Sequence, residues 1–258
     1  MNDKRLHDKV CVITGSTGGI GEAIAELFAE HGGKVVVSGR RPEKGQEVVE
    51  RIEGRGHTAT FQQCDVADDD QMDVLVAAAV ERFGGLDVLV NNAANVGHAA
   101  GAGKEVETLE LDDWDLQLRI NLRSVFYLSK LAIPLMRQRG GGTIVNVSSV
   151  GSMVGWPQAA AYLTSKGGMN QLTRSMAIDY MKDNIRVNAL CPGWILSEVE
   201  RGRIEKNPGK VEEVKQHKGI ARMGETREMA FAALFLACHE SSYVTGTALI
   251  ADGGWTLQ

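Results

Sequence analysis

The sequence predicts an α/β fold with a doubly wound parallel sheet of about seven strands and helices on both faces. Short apolar, β-branched runs alternate along the chain with longer segments whose apolar residues recur at helical spacing. The connections between them are short and rich in glycine, as at 31–33 and 140–142. Alternation of this kind is typical of consecutive βαβ units, whose parallel sheet is buried on both sides.

The predicted elements follow one another along almost the whole chain. Strands are predicted at 10–14, 34–38, 57–63, 86–91, 143–148, 185–191 and 247–251. Helices are predicted at 20–31, 43–54, 69–83, 112–139, 158–182 and 225–238. Because the chain contains no repeat, low-complexity segment or linker, residues 1–258 are interpreted as a single domain. The charged segment 196–221 is either an insertion that covers the substrate or a solvated helical hairpin without a role.

The composition argues against several kinds of partner and site. The chain has 258 residues, 43% of them hydrophobic, a formal charge of −5 and a pI near 5.7. This acidic balance disfavours nucleic acid as a partner, and no apolar stretch approaches the roughly 18 residues of a membrane span. The N-terminal residues are polar, so no signal peptide is predicted. Four separated cysteines without a paired motif predict a cytoplasmic protein with no metal site.

The junction between the first strand and the first helix carries the most informative motif. Residues 14–21 read Thr-Gly-Ser-Thr-Gly-Gly-Ile-Gly, directly after the apolar run 10–13. A helix that begins at such a turn points N–H groups and a partial positive charge at it, and glycine lets an anion approach the backbone. Glycines alone would indicate only an ordinary tight turn. Because a strand precedes them here and a helix follows, the junction predicts a site for the diphosphate of a dinucleotide.

A second group of residues could carry acid–base chemistry. Tyr162 and Lys166 stand at positions i and i+4 of a predicted helix, so they share one face, and Ser149 ends the strand before it. Reduction of a carbonyl needs a proton donor for the developing alkoxide, and the reverse reaction needs a base. An ammonium about 5 Å away should lower the pKa of a phenol by about two units. The hydroxyl of Ser149 could donate a hydrogen bond to the substrate oxygen.

Together these motifs resemble those of the short-chain dehydrogenase/reductase family. The family's nucleotide loop has the form T-G-x-x-x-G-x-G found at 14–21, and its fourth strand ends in an N-N-A motif like that at 91–93. Its Ser and Tyr-x-x-x-Lys residues match those just described, and the resemblance extends over 10–254. It implies a Rossmann-like fold and NAD(P)(H)-dependent hydride transfer between the nicotinamide and a carbonyl or secondary alcohol, with Tyr162 as general acid/base.

The resemblance also implies which residues form the site. The catalytic set is Asn121, Ser149, Tyr162 and Lys166. The residues implied to contact the cofactor are Gly15, Ser16, Thr17, Gly19, Ile20, Gly21, Arg40, Arg41, Asp65, Val66, Asn92, Ala93, Tyr162, Lys166, Pro192, Gly193 and Ile195. The substrate is expected beside Ser149, Trp156 and Trp194, and no metal is expected.

The end of the second strand bears on the choice of cofactor. The family's usual acidic residue, which binds the ribose 2′-OH of NAD, is replaced here by Gly39. Arg40 and Arg41 follow, and a guanidinium suits the 2′-phosphate of NADP. NADP(H) is therefore the predicted cofactor. NAD(H) stays open because the glycine loop offers only the hydroxyls of Ser16 and Thr17 where NADP-preferring members often carry a second basic residue.

The substrate is predicted only as a small carbonyl compound or alcohol. A 3-oxoacyl thioester reductase and a sugar or polyol dehydrogenase stay open, and His98 either reaches the substrate or lies in solvent. A protein of another class, which senses the nucleotide without turnover, would not need the catalytic set. The helices at 112–139 and 158–182 are apolar on more than one face, and the resemblance implies a homotetramer, or a homodimer, with these helices at an interface.

Overall fold

Seven strands form one parallel sheet in the computed structural model, which describes residues 4–96, 103–207, 209, 212, 219–220 and 222–257. In chain order the strands are β1 (Val10–Ile13), β2 (Lys34–Gly39), β3 (Thr58–Gln63), β4 (Val88–Asn91), β5 (Gly142–Val147), β6 (Ile185–Pro192) and β7 (Ala248–Ala251). Across the sheet their order is β3-β2-β1-β4-β5-β6-β7. The predicted fold class and all seven predicted strands are confirmed.

The α-helices of the described residues alternate with these strands. They are α1 (Gly19–Glu30), α2 (Pro42–Gly54), α3 (Asp69–Phe83), α4 (Leu111–Leu118), α5 (Ser124–Gln138), α6 (Ala160–Tyr180), α7 (Glu198–Lys206) and α8 (Thr226–Ala237). The helix predicted as continuous over 112–139 differs, because a π-helical turn over Arg119–Arg123 separates α4 from α5. The segment 196–221 contains α7, which the predicted helices did not include.

The first strand shows how the sheet is buried on both faces. Cys11 and Ile13 pack in an apolar cluster with residues of α1, α2 and α8, whereas Val10 and Val12 pack in a second cluster with residues of α3 and α5. Successive side chains of a strand point to opposite faces of the sheet, so a strand covered on both sides requires an unbroken apolar run. The run at 10–13 meets that requirement.

The strand order changes direction between β1 and β4, and this places the site. From β1 the chain proceeds outward to β2 and β3 on one side, and β4 then pairs with the other side of β1. The connections that leave the carboxyl ends of β1 and β4 therefore diverge and open a crevice there. The glycine loop 14–18 and the segment 92–95 lie at this crevice, and the residues that follow β5 and β6 lie along the same edge.

Candidate active site

The glycine loop between β1 and α1 has a backbone that other residues would not accept. Gly15 and Gly19 have φ angles of +63° and +62°, in the left-handed region that favours glycine. A Cβ on Gly15 would stand 2.8 Å from the Cα of Ala93, and one on Gly21 would stand 2.5 Å from the carbonyl oxygen of Gly15. The loop is therefore packed against the residues after β4, and α1 begins at Gly19 with its first N–H groups directed at the loop.

Hydrogen bonds from the end of β4 fix this loop. The side-chain amide of Asn92 donates to the carbonyl oxygens of Thr14 at 2.9 Å and Gly15 at 3.1 Å. The backbone N–H groups of Asn92 and Ala93 both donate to the Thr14 hydroxyl at 3.0 Å. Ser16 is fully buried, and its hydroxyl donates to the carbonyl oxygen of Ile13 at 2.7 Å. The side chains of Asn92 and Ser16 thus build the loop, and their contact with a cofactor stays a prediction.

The corner after β2 holds the two predicted arginines. The Arg40 side chain is 74% exposed, and its Nη1 lies 3.9 Å from Oδ2 of Asp65, which follows β3. Arg41 reaches back to the glycine loop, where its Nη2 donates to the carbonyl oxygen of Thr17 at 3.4 Å. A Cβ on Gly39 would stand 2.7 Å from Cγ2 of Thr17, so that threonine fills the space where an acidic side chain would begin.

The structure brings together the predicted Ser149, Tyr162 and Lys166. Ser149 follows β5, and its hydroxyl accepts a hydrogen bond from the N–H of Gly151 at 3.0 Å. The same side chain interacts with the half-buried Tyr162 and lowers the pKa of its phenol. One turn further along α6, Nζ of Lys166 lies 5.9 Å from the centre of the Tyr162 ring. That ammonium donates to the carbonyl oxygen of Val147 at 2.8 Å.

The direction of the Tyr162 pKa differs from the prediction. Burial raises the pKa of Tyr162, and it outweighs the hydrogen bond with Ser149 and the positive charge of Arg203, both of which lower it. Burial also lowers the pKa of Lys166 from 10.5 to about 8. The ammonium is directed at the carbonyl oxygen of Val147, and the loss of water around the phenol dominates. At neutral pH this protein environment holds Tyr162 in its protonated form.

Asn121 joins α4–α5 to the rest of the site. It is fully buried in the π-helical turn, and its Oδ1 accepts a hydrogen bond from the N–H of Asn95 at 2.8 Å. Its Nδ2 donates to the carbonyl oxygen of Asn95 and to Oγ of Ser165, both at 3.3 Å. The polar residue among apolar neighbours therefore ties the segment after β4 to the helix that carries Tyr162 and Lys166.

Aromatic side chains lie beside the catalytic phenol. The Trp156 ring, 38% exposed, has its centre 6.3 Å from that of Tyr162, and its contact with a substrate stays a prediction. Trp255 meets Trp156 edge-on, also at 6.3 Å, and sequence reasoning missed it. Asp252 holds it there by accepting hydrogen bonds from the N–H groups of Gly254 and Thr256, each at 2.8 Å. The Asp-Gly-Gly turn before Trp255 was the available signal.

The residues after β6 lie at the carboxyl ends of the strands, next to the residues after β5. Gly193 donates to the carbonyl oxygen of Ala251 at 3.1 Å, and Ile195 is buried and bridges to Gly224. The predicted Trp194 lines a shallow hollow at this edge. The other residues that line it are Gly219, Ile220, Arg222, Asp252, Gly253 and Trp255.

The helix α7 crosses above the glycine loop, and it brings further residues that the sequence analysis missed. Ser197 caps this helix by accepting a hydrogen bond from the N–H of Glu200 at 3.3 Å. The sequence pattern Ser-x-x-Glu at 197–200 is typical of a helix start and was the available signal. The Ser197 Cβ lies 3.6 Å from the position that a Cβ on Gly19 would occupy. Arg203 donates to the carbonyl oxygen of Val96 at 2.5 Å, which fastens α7 to the segment after β4.

Several predictions concern what the site lacks. His98 lies outside the described residues. In the described part of the chain, no group of three or more His, Cys, Asp or Glu residues could hold a metal ion. None of its helices combines the length and the apolar character needed to span a bilayer. All four cysteines are buried thiols.

Comparisons with known proteins agree with this geometry. A family model described as enoyl-(acyl carrier protein) reductase matches residues 15–256. An uncharacterized oxidoreductase of Thermotoga maritima is 43% identical over 254 residues, which cover 97% of this chain and 98% of that protein. A 3beta-hydroxysteroid dehydrogenase of Mediterraneibacter gnavus is 37% identical over 270 residues, which cover 98% of this chain and 96% of that protein. The solved structure of a 7α-hydroxysteroid dehydrogenase complexed with NADH and 7-oxo glycochenodeoxycholic acid matches with a TM-score of 0.92 at 33% identity, covering 98% and 96% of the two chains.

Proposed function

The chain belongs to the short-chain dehydrogenase/reductase family, and from this premise we propose how it works as an NAD(P)(H)-dependent oxidoreductase. The reaction is the interconversion of a carbonyl group and a secondary alcohol on a small molecule. When bound, the nicotinamide cofactor supplies or accepts the hydride. The observation that carries the proposal is the grouping of Ser149, Tyr162 and Lys166, in which Nζ of Lys166 lies 5.9 Å from the centre of the Tyr162 ring and Ser149 lowers the pKa of the phenol.

The residues present fit a dinucleotide. The absence of a Cβ at Gly15 and Gly21 lets the loop pack closely against the residues after β4, and this close packing sets the loop at the start of α1. The N–H groups at the start of α1 and the partial positive charge of that helix end favour an anion there. Pro192, Gly193 and Ile195 follow β6 along the same edge, and they would hold the nicotinamide end.

The proton is handled by Tyr162. In the direction of reduction, its hydroxyl would donate the proton to the developing alkoxide oxygen of the substrate. Because burial raises its pKa, the phenol is protonated at neutral pH and ready for this step. Ser149 would orient the substrate oxygen through its own hydroxyl. In the direction of oxidation, the charge of Lys166 would favour the phenolate that removes the alcohol proton.

The preferred cofactor is NADP(H), with NAD(H) accepted as well. Arg40 is exposed at the end of β2, and Arg41 lies against the glycine loop, so two guanidinium groups flank the ribose position of a bound dinucleotide. Asp65 lies beside Arg40, with its Oδ2 3.9 Å from Nη1 of that arginine. A charge-assisted contact with a phosphate contributes about 1.5–3 kcal/mol, which is roughly ten- to hundredfold in affinity.

The substrate would lie between Tyr162 and the aromatic residues, with the segment 196–221 covering it. Trp156 and Trp255 offer flat apolar surface beside the phenol, which suits an alicyclic or other apolar ketone. The related 3beta-hydroxysteroid dehydrogenase and 3-oxoacyl-(acyl-carrier-protein) reductase keep both cyclic ketones and 3-oxoacyl thioesters as candidates. A sugar or polyol is the less favoured alternative because it would leave these rings poorly covered.

We also propose that the protein is a homotetramer, or a homodimer. Apolar side chains are exposed on the helices that flank the site, among them Leu116 of α4, Phe126 of α5 and Ile178 of α6, of which Ile178 is 69% exposed. An apolar surface of this kind is stabilised when a second copy covers it. Light scattering that gives a monomer at micromolar concentration would contradict this assembly.

A substrate screen tests the proposed reaction. Ketones and secondary alcohols of different ring size and polarity would be offered with NADPH, NADH, NADP and NAD, and the absorbance of the reduced nicotinamide would be followed. Turnover of at least one apolar ketone is expected, with the higher kcat/KM for NADPH. Turnover that persists in the Tyr162→Phe variant would show that the assigned site does not carry the reaction.

A further inference from the structure

Three elements meet at Gly18 of the glycine loop. A Cβ on this residue would stand 3.5 Å from Nη2 of Arg41 and 3.7 Å from Oε2 of Glu198. Arg41 comes from the segment between β2 and α2, and Glu198 is the first residue of α7. Because glycine has no side chain, the guanidinium and the carboxylate both reach this corner. The sequence alone did not bring Glu198 to the cofactor site.

The position of Arg41 compensates for what the loop lacks. The loop residues Ser16, Thr17 and Gly18 contain no cation. The guanidinium of Arg41 stands 3.5 Å from the position where a side chain on Gly18 would begin, and it donates a hydrogen bond to the carbonyl oxygen of Thr17. A positive charge is therefore available at the loop, and it comes from the neighbouring connection.

We infer that Glu198 weakens the preference for NADP(H) by competing with its 2′-phosphate for Arg41. This inference rests on the proposed function, since it concerns the same cofactor site. A phosphate and a carboxylate are both anions that accept the hydrogen bonds of a guanidinium, so they cannot both be fully paired with one arginine. The uncharged 2′-hydroxyl of NAD(H) is not repelled by Glu198, and its binding needs no cation. Glu198 thereby reduces the difference in affinity between NADP(H) and NAD(H).

The surroundings of Glu198 hold it at this corner. Ser197, which caps α7, packs against Gly19, so the start of the helix lies directly on the glycine loop. The charge of Glu198 also reaches neighbouring helices. Burial raises the pKa of Glu22 on α1, and Glu198 contributes to that rise. A hydrogen bond to Glu47 raises the pKa of Lys44 on α2, and Glu198 adds to it as well.

The expected size of the effect is that of an exposed ion pair. Competition by an exposed carboxylate changes the affinity of a guanidinium for a phosphate by about threefold. Removal of the Glu198 charge by Glu198→Gln should therefore strengthen phosphate binding by about threefold or more. The gain should disappear near 1 M salt, because exposed charges are then screened over about 3 Å.

Binding of nucleotide fragments tests the inference without turnover. Isothermal titration calorimetry would measure the affinities of 2′,5′-ADP and of 5′-ADP for the unaltered protein and for Glu198→Gln. We expect 2′,5′-ADP to bind about threefold or more tightly to the variant, and 5′-ADP to bind equally to both. Glu205→Gln is the matched control, since it removes the same charge two helical turns, or about 10 Å, further along α7.

A second background separates competition for Arg41 from simple repulsion. In Arg41→Met, the gain from Glu198→Gln should shrink, because the shared cation is gone. An equal gain in both backgrounds, or no gain in either, would overturn the inference while leaving the proposed cofactor site intact. Failure of both fragments to bind the unaltered protein would overturn the cofactor site and the inference together.

Discussion

Replacement of Lys166 by methionine should change how the stability of the protein depends on pH. The Lys166 side chain is only 2% exposed, and burial lowers its pKa from 10.5 to about 8. In the unfolded chain the amine is hydrated and keeps its ordinary pKa. Between pH 8 and 10.5 the unfolded chain therefore binds more protons than the folded one. The free energy of unfolding of the unaltered protein rises as the pH increases through this window.

The magnitude follows from the size of the pKa difference. Below pH 8 the amine is protonated in both states, so the cost of burying its charge is fully present. The cost is relieved as the pH rises, because the folded amine becomes neutral while the unfolded one stays charged. At 1.36 kcal/mol for each pKa unit, the complete effect is about 3 kcal/mol, and about 2 kcal/mol of it is gained by pH 9.5.

Urea unfolding at pH 7 and pH 9.5 measures this effect. The difference in the free energy of unfolding between the unaltered protein and Lys166→Met should move by about 2 kcal/mol in favour of the unaltered protein. Lys130→Met is the control, since Lys130 is exposed on α5 and its charge stays hydrated in both states. Titration of all other groups cancels in the difference. If the difference in the free energy of unfolding between the unaltered protein and Lys166→Met is the same at both pH values, burial does not lower the pKa of Lys166.

Two further predictions concern the cofactor cradle and the aromatic residues. Gly21→Ala should weaken the binding of both nucleotide cofactors at least about tenfold, because its Cβ would stand 2.5 Å from the carbonyl oxygen of Gly15. Fluorescence titration measures this, and Gly54→Ala, whose Cβ would meet nothing within 4 Å, should bind normally. Trp255→Ala should raise the KM for an alicyclic ketone about three- to tenfold and change kcat less, because the edge contact with Trp156 is lost. A fall in kcat at constant KM would contradict that assignment.

The sheet could be predicted because buried parallel strands leave a plain signal. The run at 10–13 packs on both faces of the sheet and contains only apolar residues. The strand predicted at 86–91 begins two residues later in the structure, at Val88. Leu86 and Asp87 are buried like the strand itself, so burial does not mark its start. The bounds depend on hydrogen bonds that the sequence does not show.

The π-helical turn could not be predicted from periodicity. A single widened turn shifts the helical spacing by one residue, which the apolar pattern of 112–139 conceals. What distinguishes the turn is Asn121, whose amide is satisfied by Asn95 and Ser165 from other elements. A buried asparagine in an apolar stretch signals that such partners exist, but it does not identify them.

The candidate site, like the fold, could be predicted from the sequence only in part. The spacing of Tyr162 and Lys166 predicted their common face, and the structure places them together. The pKa direction of Tyr162 was predicted wrongly, because it depends on how much water burial removes from the phenol. Trp255 and Glu198 reach the site from distant parts of the chain. No local pattern in the sequence contains the tertiary contacts that bring them there.

The Tyr162→Phe variant tests the central claim most directly. The substitution keeps the ring that packs near Trp156 and removes only the phenolic hydroxyl, whose pKa Ser149 lowers. Single-turnover measurements with saturating cofactor would compare hydride transfer in the two proteins, and nucleotide titration would check that binding is retained. The account predicts a loss of rate of at least about a hundredfold, with cofactor affinity unchanged. A variant that keeps more than about a tenth of the rate, a loss of under about 1.4 kcal/mol, would contradict Tyr162 as the acid/base.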